Sequence, residues 1–277
     1  MLQRETLEVR RDDWQQTRVI REEMSGDPGD NEVLLQVDRL ALTANNISYA
    51  GAGDTLGYWG FFPAEEGWGR IPAMGWADVI ASAHPMIDPG ERVWGFFPPS
   101  THLKILADST GAGQFRDASP HRAEYAQVYA RFDRAAALPI YDAAQEDRDS
   151  LLRGLFMTSW LVEDFLEVND GFGAASCLVT SASSKTSIAL ASCLNRRGRL
   201  AAIGVTSPAN VAFCESLGFY DSVISYDGVD ALDGQKPAVM VDMAGSASVI
   251  GELHRHFGDN MRYSCRVGAT HYEEMGS

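Results

Sequence analysis

Cysteine is scarce and never closely paired. Cys177, Cys193, Cys214 and Cys265 are the only four in 277 residues, and no two stand at C-x-x-C spacing. That excludes a disulfide framework and fits a reducing, cytoplasmic setting. Histidine is sparse too. His254 and His256 form an H-x-H, but residues two apart on a helix face different directions, so no metal site is expected. Lysine is rare, and arginine is scattered or mixed with acids, as in "REEMSGDPGD". With a net charge of -15 and a pI near 4.7 there is no basic patch to offset repulsion. Nucleic acid and membrane surfaces are therefore not expected partners. No run of about 18 apolar residues exists to span a bilayer. The opening "MLQRETLEVRRDDWQQTRV" has no apolar core and does not read as a signal peptide.

What is present is ordinary globular material, 45% hydrophobic and 22% charged, in a chain long enough for two domains. The first half reads as β-rich. "EVLLQVDRLALTA", "ADVIASA" and "ERVWGFFP" have strand composition, and "DPGERV" is a turn entering a strand. Between Gly51 and Pro99 glycine, proline and aromatics are dense, which suggests a barrel-like domain with long ordered loops. Helical signals begin near "SPHRAEYAQVYARFDRAA" and resume in "EDRDSLLRGLFMTSWLVEDFLEVND". In the latter, Leu152, Leu155, Phe156, Ser159 and Trp160 recur at helical spacing, and the domain junction is placed inside it.

Beyond that helix, strand and helix alternate. "SCLVTS", "RLAAIGV", "DSVISYD", "PAVMVDMAG" and "MRYSCRVG" read as strands. "SKTSIALASCLNRRG", "SPANVAFCESLG" and "ASVIGELHRHFG" read as helices, the second with Ser207 as N-cap and Pro208 at its first position. This pattern implies a doubly wound parallel sheet with ligands outside the carboxyl ends of its strands.

The first such turn is "TSASSKTS", Thr180 to Ser187. Dinucleotide turns use glycines to let a diphosphate approach the backbone, and here there are none. Serine makes a left-handed turn harder. Ser181, Ser183, Ser184, Lys185 and Thr186 instead offer hydroxyls and one cation at a helix N-terminus, an arrangement suited to an anion. A self-capped helix is the alternative reading. The second strand ends "AIGVTSPAN", where Thr206, Ser207 and Asn210 replace the acid that would bind a ribose 2′-hydroxyl. That is compatible with a 2′-phosphate, hence NADP, although no Arg or Lys follows to hold it and a capped helix is the other reading.

The order of pieces resembles the medium-chain dehydrogenase/reductase superfamily, in its zinc-free quinone oxidoreductase-like branch. "EVLLQVDRLALTANNISYAGAGD", "RIPAMGWADVIASAHPMIDPGERVWGFF" and "SCLVTSASSKTSIALA" carry the likeness, followed by "PAVMVDMAG" and "YSCRVGAT". Within it, "ALTANNI" and the "GYW…FFPAE…GWGRIP" segment resemble a branch without assigned chemistry. The resemblance implies an α/β chain with a GroES-like barrel over 1–150 and a Rossmann-type domain over 151–277. Relatives carry a further strand and a return segment, so the C-terminal part is expected to be missing, and a homodimer is one way to cover the open edge.

For the site, the resemblance puts Asn45 beside the nicotinamide, with Asn46 and Tyr49 close by, and Tyr226 at the adenosine end. It aligns Met243 and Gly245 with one cofactor turn and Gly268, Ala269 and Thr270 with the next. No Cys or His occupies the zinc positions of alcohol dehydrogenases. Tyr49 and Tyr58 are candidate proton donors, and Tyr58, Trp59, Phe61, Phe62 and Trp68 are expected to wall a substrate pocket. His121 reads as structural, and Glu65 and Glu66 as solvated. The expected function is an NADP(H)-dependent, zinc-independent oxidoreductase acting on a small to medium apolar carbonyl or enone. Two alternatives stay open: a degenerate binding or interaction module on the same fold, and a non-redox lyase or isomerase.

Overall fold

The computed structural model describes residues 1–268, in two compact units that divide between Leu151 and Leu152. The first unit opens with a charged hairpin, β1 (Leu2–Arg10) and β2 (Thr17–Met24), paired antiparallel from Leu2↔Met24 to Val9↔Thr17. The strands β3 (Glu32–Ala41), helix α1 (Asn45–Gly51), the short β4 (Trp68–Gly69), β5 (Ala73–Ser82) and β6 (Arg92–Phe97) follow. Then come β7 (His102–Gly111), β8 (Gln114–Asp117) and β9 (Arg131–Arg134). β4 joins the hairpin as the third strand of its sheet, while the other six close a barrel in the order β3-β5-β6-β9-β8-β7.

The barrel core mixes aliphatic and aromatic side chains in one cluster. Val33, Leu35, Val79, Val93 and Ile105 meet Phe61, Phe96, Phe97, Phe115 and Phe132. β9 lies where a helix was expected. The stretch Pro120–Ala130 forms two 3-10 turns, and Phe132 of β9 stacks on Phe115 at 5.5 Å. The apolar spacing of "AEYAQVYARF" mimics a helix, but its rings point into the barrel and tertiary packing overrides the local period.

Helix α2 (Glu146–Val168) begins in the first unit and continues into the second. Its first turn is pinned by charge. Arg92 donates to both Glu146 carboxylate oxygens, at 2.9 and 2.6 Å, and the Trp76 indole N–H donates to the Glu146 carbonyl. Within the second unit α2 buries Ser159, Glu163 and Leu166, while Leu152, Phe156 and Trp160 are 40, 44 and 48% exposed. The inward face is thus rotated from the one the apolar spacing marks out. Ser159 explains part of this, because its hydroxyl donates to the Thr186 carbonyl at 2.8 Å.

The second unit continues with β10 (Ser176–Thr180), α3 (Lys185–Arg197), β11 (Ala201–Thr206), α4 (Val211–Ser216) and β12 (Ser222–Ser225). It closes with β13 (Ala238–Asp242), α5 (Ala247–Phe257) and β14 (Met261–Arg266). All five strands pair in parallel, in the order β12-β11-β10-β13-β14. The order reverses beside β10, so the switch point lies at the carboxyl ends of β10 and its neighbours. β10 and β13 are near-continuous buried apolar runs, as expected of strands covered on both faces. Three of the four cysteines are buried and Cys265 is half-buried, in keeping with packing roles.

Candidate active site

The turn after β10 keeps the geometry of a glycine turn without glycine. Ser181 takes a left-handed φ of 48°, and the Ser184 N–H closes back on its carbonyl at 2.8 Å. Ser184 is the N-cap of α3 and accepts from the Ser187 N–H at 3.2 Å. The Ser187 hydroxyl, fully buried, donates to the Thr180 carbonyl at 2.8 Å and ties helix to strand. The backbone N–H groups of Ser183, Lys185 and Thr186 take no acceptor among the described residues. Lys185 is exposed in the first helical turn, with no ion pair among the described residues.

Close approach of the turn to the sheet is supplied from the opposite strand. A Cβ added at Gly204 of β11 would lie 3.0 Å from the Ala182 Cβ and 3.0 Å from the Tyr220 ring. The Tyr220 hydroxyl donates to the Ala182 carbonyl at 2.7 Å. Burial pushes its phenol well above the ordinary tyrosine range.

The residues expected to hold the coenzyme gather at this edge. Asn210 donates to the hydroxyls of Ser183 and Ser207, both at 3.1 Å, and so joins the turns after β10 and β11. Ser207 occupies an N-cap position with Pro208 following, but its hydroxyl makes no capping bond. The helix expected from Pro208 onward begins as a 3-10 turn and becomes α only over Val211–Ser216. The Tyr226 hydroxyl stands 3.5 Å from that of Ser181. Thr206 is buried beside Cys214, whose thiol burial pushes up, with the Thr206 hydroxyl offsetting part of that rise. Ala269 and Thr270 lie outside the described residues.

The hub of the edge is a residue the sequence reading passed over. Asp242, buried at the end of β13, accepts from the Thr180 hydroxyl at 2.6 Å and from the Gly245 N–H at 2.8 Å. The Met243 N–H donates to the same Thr180 hydroxyl at 3.0 Å. The Asp242 carbonyl accepts from the N–H groups of Val267 and Gly268. The Asp242 carboxylate and carbonyl, with the Thr180 hydroxyl, thus hold three turns together. An acid ending a buried apolar strand, as in "VMVDMAG", was the available signal.

The barrel unit holds the other expected residues. Asn45 opens α1, one turn ahead of Tyr49 in the same helix. Asn46 is structural: it accepts from the Thr43 N–H at 2.7 Å and donates to the Pro72 carbonyl at 2.8 Å. Tyr49 packs on Tyr58 at 4.7 Å, and the Tyr58 and Tyr129 hydroxyls lie 3.3 Å apart. Burial first, and then Tyr129, push the phenols of Tyr49 and Tyr58 far above the usual range. Three of the five aromatics expected to wall a pocket are instead taken up by packing: Trp59, Phe61 and Phe62 are 3, 1 and 4% exposed. So much apolar ring area in one loop is driven inward. Trp68 lies in β4 under the Arg18 guanidinium, 4.1 Å from its ring centre. Tyr58 alone of the five joins the hydroxyl cluster, and His121 is exposed on a turn. Among the described residues no group of three or more His, Cys, Asp or Glu could hold a metal ion, and no helix is long and apolar enough to cross a membrane.

A six-stranded barrel followed by a parallel sheet with a switch point beside its first strand is the fold of the medium-chain dehydrogenase/reductases. Solved structures agree on that fold. CurA from Vibrio vulnificus in complex with NADPH is 11% identical with a TM-score of 0.65, over 94% of this chain and 69% of that one. A mutant form of enoyl thioester reductase from Candida tropicalis is 14% identical with a TM-score of 0.59, over 97% and 76%. The Etr1p/NADP/crotonyl-CoA complex is 13% identical with a TM-score of 0.56, over 98% and 76%. By its sequence the chain belongs to the family described as "Protein of unknown function (DUF2855)", whose model matches residues 40–277. No curated protein matches it.

Proposed function

We propose that the chain is an NADP(H)-dependent oxidoreductase, working without zinc on a small apolar carbonyl or α,β-unsaturated substrate. The observation that carries this reading is the turn after β10. It has a left-handed residue at its start, three backbone N–H groups without acceptors, and Lys185 at the mouth of a 13-residue helix. That donor set fits a diphosphate. Bound there, a dihydronicotinamide coenzyme supplies a hydride. Ser181, Ser183, Ser184, Lys185 and Thr186 hold its phosphates in this reading. Thr206, Ser207 and Asn210 receive the ribose end without a repelling acid, and Tyr226 flanks the adenosine. Met243, Gly245 and Gly268 shape the turns beyond, and Asn45 and Tyr49 serve the reacting end, as the family resemblance implies. The NADPH and NADP complexes among the structural neighbours support the choice of coenzyme.

Fluorescence titration with NADPH and NADH tests the reading. NADPH is expected to bind more tightly, and Lys185→Ala to weaken it about tenfold, the size of one charge-assisted contact. Unchanged affinity in that variant removes the turn as the phosphate site. A folded protein that binds neither coenzyme is the binding module instead. Substrate turnover without nicotinamide consumption points to a lyase or isomerase.

A further inference from the structure

Helix α2 is amphipathic in the reverse of the usual sense. Between Phe156 and Val168 it buries Ser159, Glu163 and Leu166. Ser159 donates to the Leu155 and Thr186 carbonyls at 3.0 and 2.8 Å. Glu163 accepts from the Nε and one Nη of Arg197, at 2.7 and 2.8 Å. The bonds that fasten α2 to α3 are thus made by its polar side. Phe156, Met157, Trp160, Leu161, Phe165 and Val168 stand outward, 38 to 76% exposed. A helix that faces water carries the opposite pattern.

Members of this set stand three or four residues apart, so they adjoin along the helix. They form one stripe about 18 Å long, at 1.5 Å per residue. Its apolar surface is on the order of 600 Å², the upper limit of what a monomer leaves open. An interface of standard size buries about 800 Å² on each partner. One helix therefore supplies most of what a stable dimer needs. The stripe also continues past the helix. Phe165 packs on Phe172 and Tyr263 at 5.8 and 5.5 Å, and Tyr263 belongs to β14, the end strand of the sheet.

The charges beside the stripe select its occupant. From Phe156 to Val168 there is no Lys, Arg or His, and the acids besides Glu163 are Asp164 and Glu167, both toward the C-terminal end. Those acids and the net charge of -15 repel an anionic membrane surface. Arg153 lies one turn before Met157 on the same side of the helix. A second copy laid antiparallel brings its Arg153 to the acidic end of the first, and receives the same contact in return. Parallel pairing sets acid against acid instead.

We propose that two copies of the chain pair through this stripe, α2 against α2 in antiparallel, about a twofold axis between Trp160 and Leu161. Met157 of one copy then lies across from Asp164 of the other, and Arg153 across from Val168 and beside Glu167. The contact is isologous, so it closes at two copies. It places the homodimer on the helix face rather than on the open edge of β14, and it does not depend on the coenzyme reading.

Sedimentation equilibrium on the whole chain tests this. The wild type should sediment at twice 30.2 kDa, with a Kd on the order of 1 μM, the weak end for such an interface. Its urea midpoint should rise with protein concentration. Trp160→Glu puts a charge beside the axis in both copies. It should weaken pairing more than about a hundredfold and abolish that rise, with far-UV circular dichroism unchanged because the side chain is half exposed. A short bismaleimide cross-linker reads the orientation. Met157→Cys mixed with Asp164→Cys should give far more covalent dimer than either variant alone or the wild type, and this arm decides the matter if Trp160→Glu fails to fold. A wild type that stays monomeric at about 100 μM overturns the proposal, and so does a dimer that Trp160→Glu leaves intact. Cross-linking of Met157→Cys alone as strong as that of the mixture overturns the antiparallel arrangement.

Discussion

The Tyr220 hydroxyl donates to the carbonyl of Ala182 at 2.7 Å, and through that bond the segment before β12 holds the turn after β10. The ring of Tyr220 also fills the space that Gly204 leaves open. Tyr220→Phe keeps the ring and removes a largely buried bond, so it should cost about 1–2 kcal/mol. The turn loses its outer fastening at the same time, so NADPH affinity should fall with stability. Gly204→Val acts from the other side by pushing a branched side chain against Ala182 and should weaken NADPH binding further. Urea unfolding and coenzyme titration of both variants check this. Full NADPH affinity in Gly204→Val contradicts the role given to that glycine.

Ser181 holds a left-handed φ of 48° with a β-carbon in place. An L residue there carries about 1–2 kcal/mol of strain, part of which glycine gives back through its looser unfolded chain. Ser181→Gly should therefore stabilise the protein by about 0.5–1 kcal/mol, a rise in Tm of roughly 1–3 °C for a chain of this size. The hydroxyl toward Tyr226 is lost, so a loosened adenosine end would appear as weaker NADPH binding in a more stable protein. A fall in Tm in differential scanning calorimetry would show the turn is not strained.

The acid limb of stability should run through Glu146. Burial opposes its charge, but the bonds from Arg92 and the Tyr141 hydroxyl outweigh that and hold its carboxyl below the usual range. A carboxyl depressed in the folded state contributes stability fully above its unfolded value, about 4.3, and loses it as pH falls through the folded value. Glu146→Gln should cost on the order of 2 kcal/mol near neutral pH, the scale of hydrogen bonds to a charged group. The gap to wild type should close as pH falls through the folded value, where both side chains become neutral. Urea midpoints across that range decide it. A constant gap would assign the stabilisation to packing.

The second unit was largely legible because its central strands are short apolar runs set off by turn residues, and helices such as α3 carry caps and stops. The barrel unit was less so. Residues 119–136 carry apolar side chains at helical intervals, yet Tyr125, Tyr129 and Phe132 are drawn into an aromatic core from turns and a strand, which no local period records. β1 and β2 went unread because their alternation is of charge rather than apolarity: Glu5 with Arg21 and Glu8 with Arg18 pair across the hairpin. In the site, the missing glycines read as a loss. The fold instead bends Ser181 and places the small residue on the facing strand, a compensation visible only once Val179 is seen opposite Gly204. Asp242 and Tyr220 escaped notice because their partners lie 62 and 38 residues away in the chain.

Gly268 follows β14 where the backbone passes over the turn that begins at Met243. A Cβ there would overlap the carbonyl of Met243 and reach its Cα, all backbone atoms that cannot swing aside. Gly268→Ala must therefore separate the two turns, which the Asp242 carbonyl holds together by accepting from Val267 at 2.8 Å and from Gly268 at 3.3 Å. Losing those bonds and straining the backbone should cost about 2–4 kcal/mol, well above a surface substitution. The damage should stay local, because the Thr180–Asp242 bond on the other side of the acid is untouched. Hydrogen exchange can separate the two effects. Amides of Val267 and Gly245 should lose protection while those of β10 and β11 keep theirs. If β10 loses protection equally, Asp242 serves as a single cooperative hub, and the Thr180 bond cannot stand without the far turn.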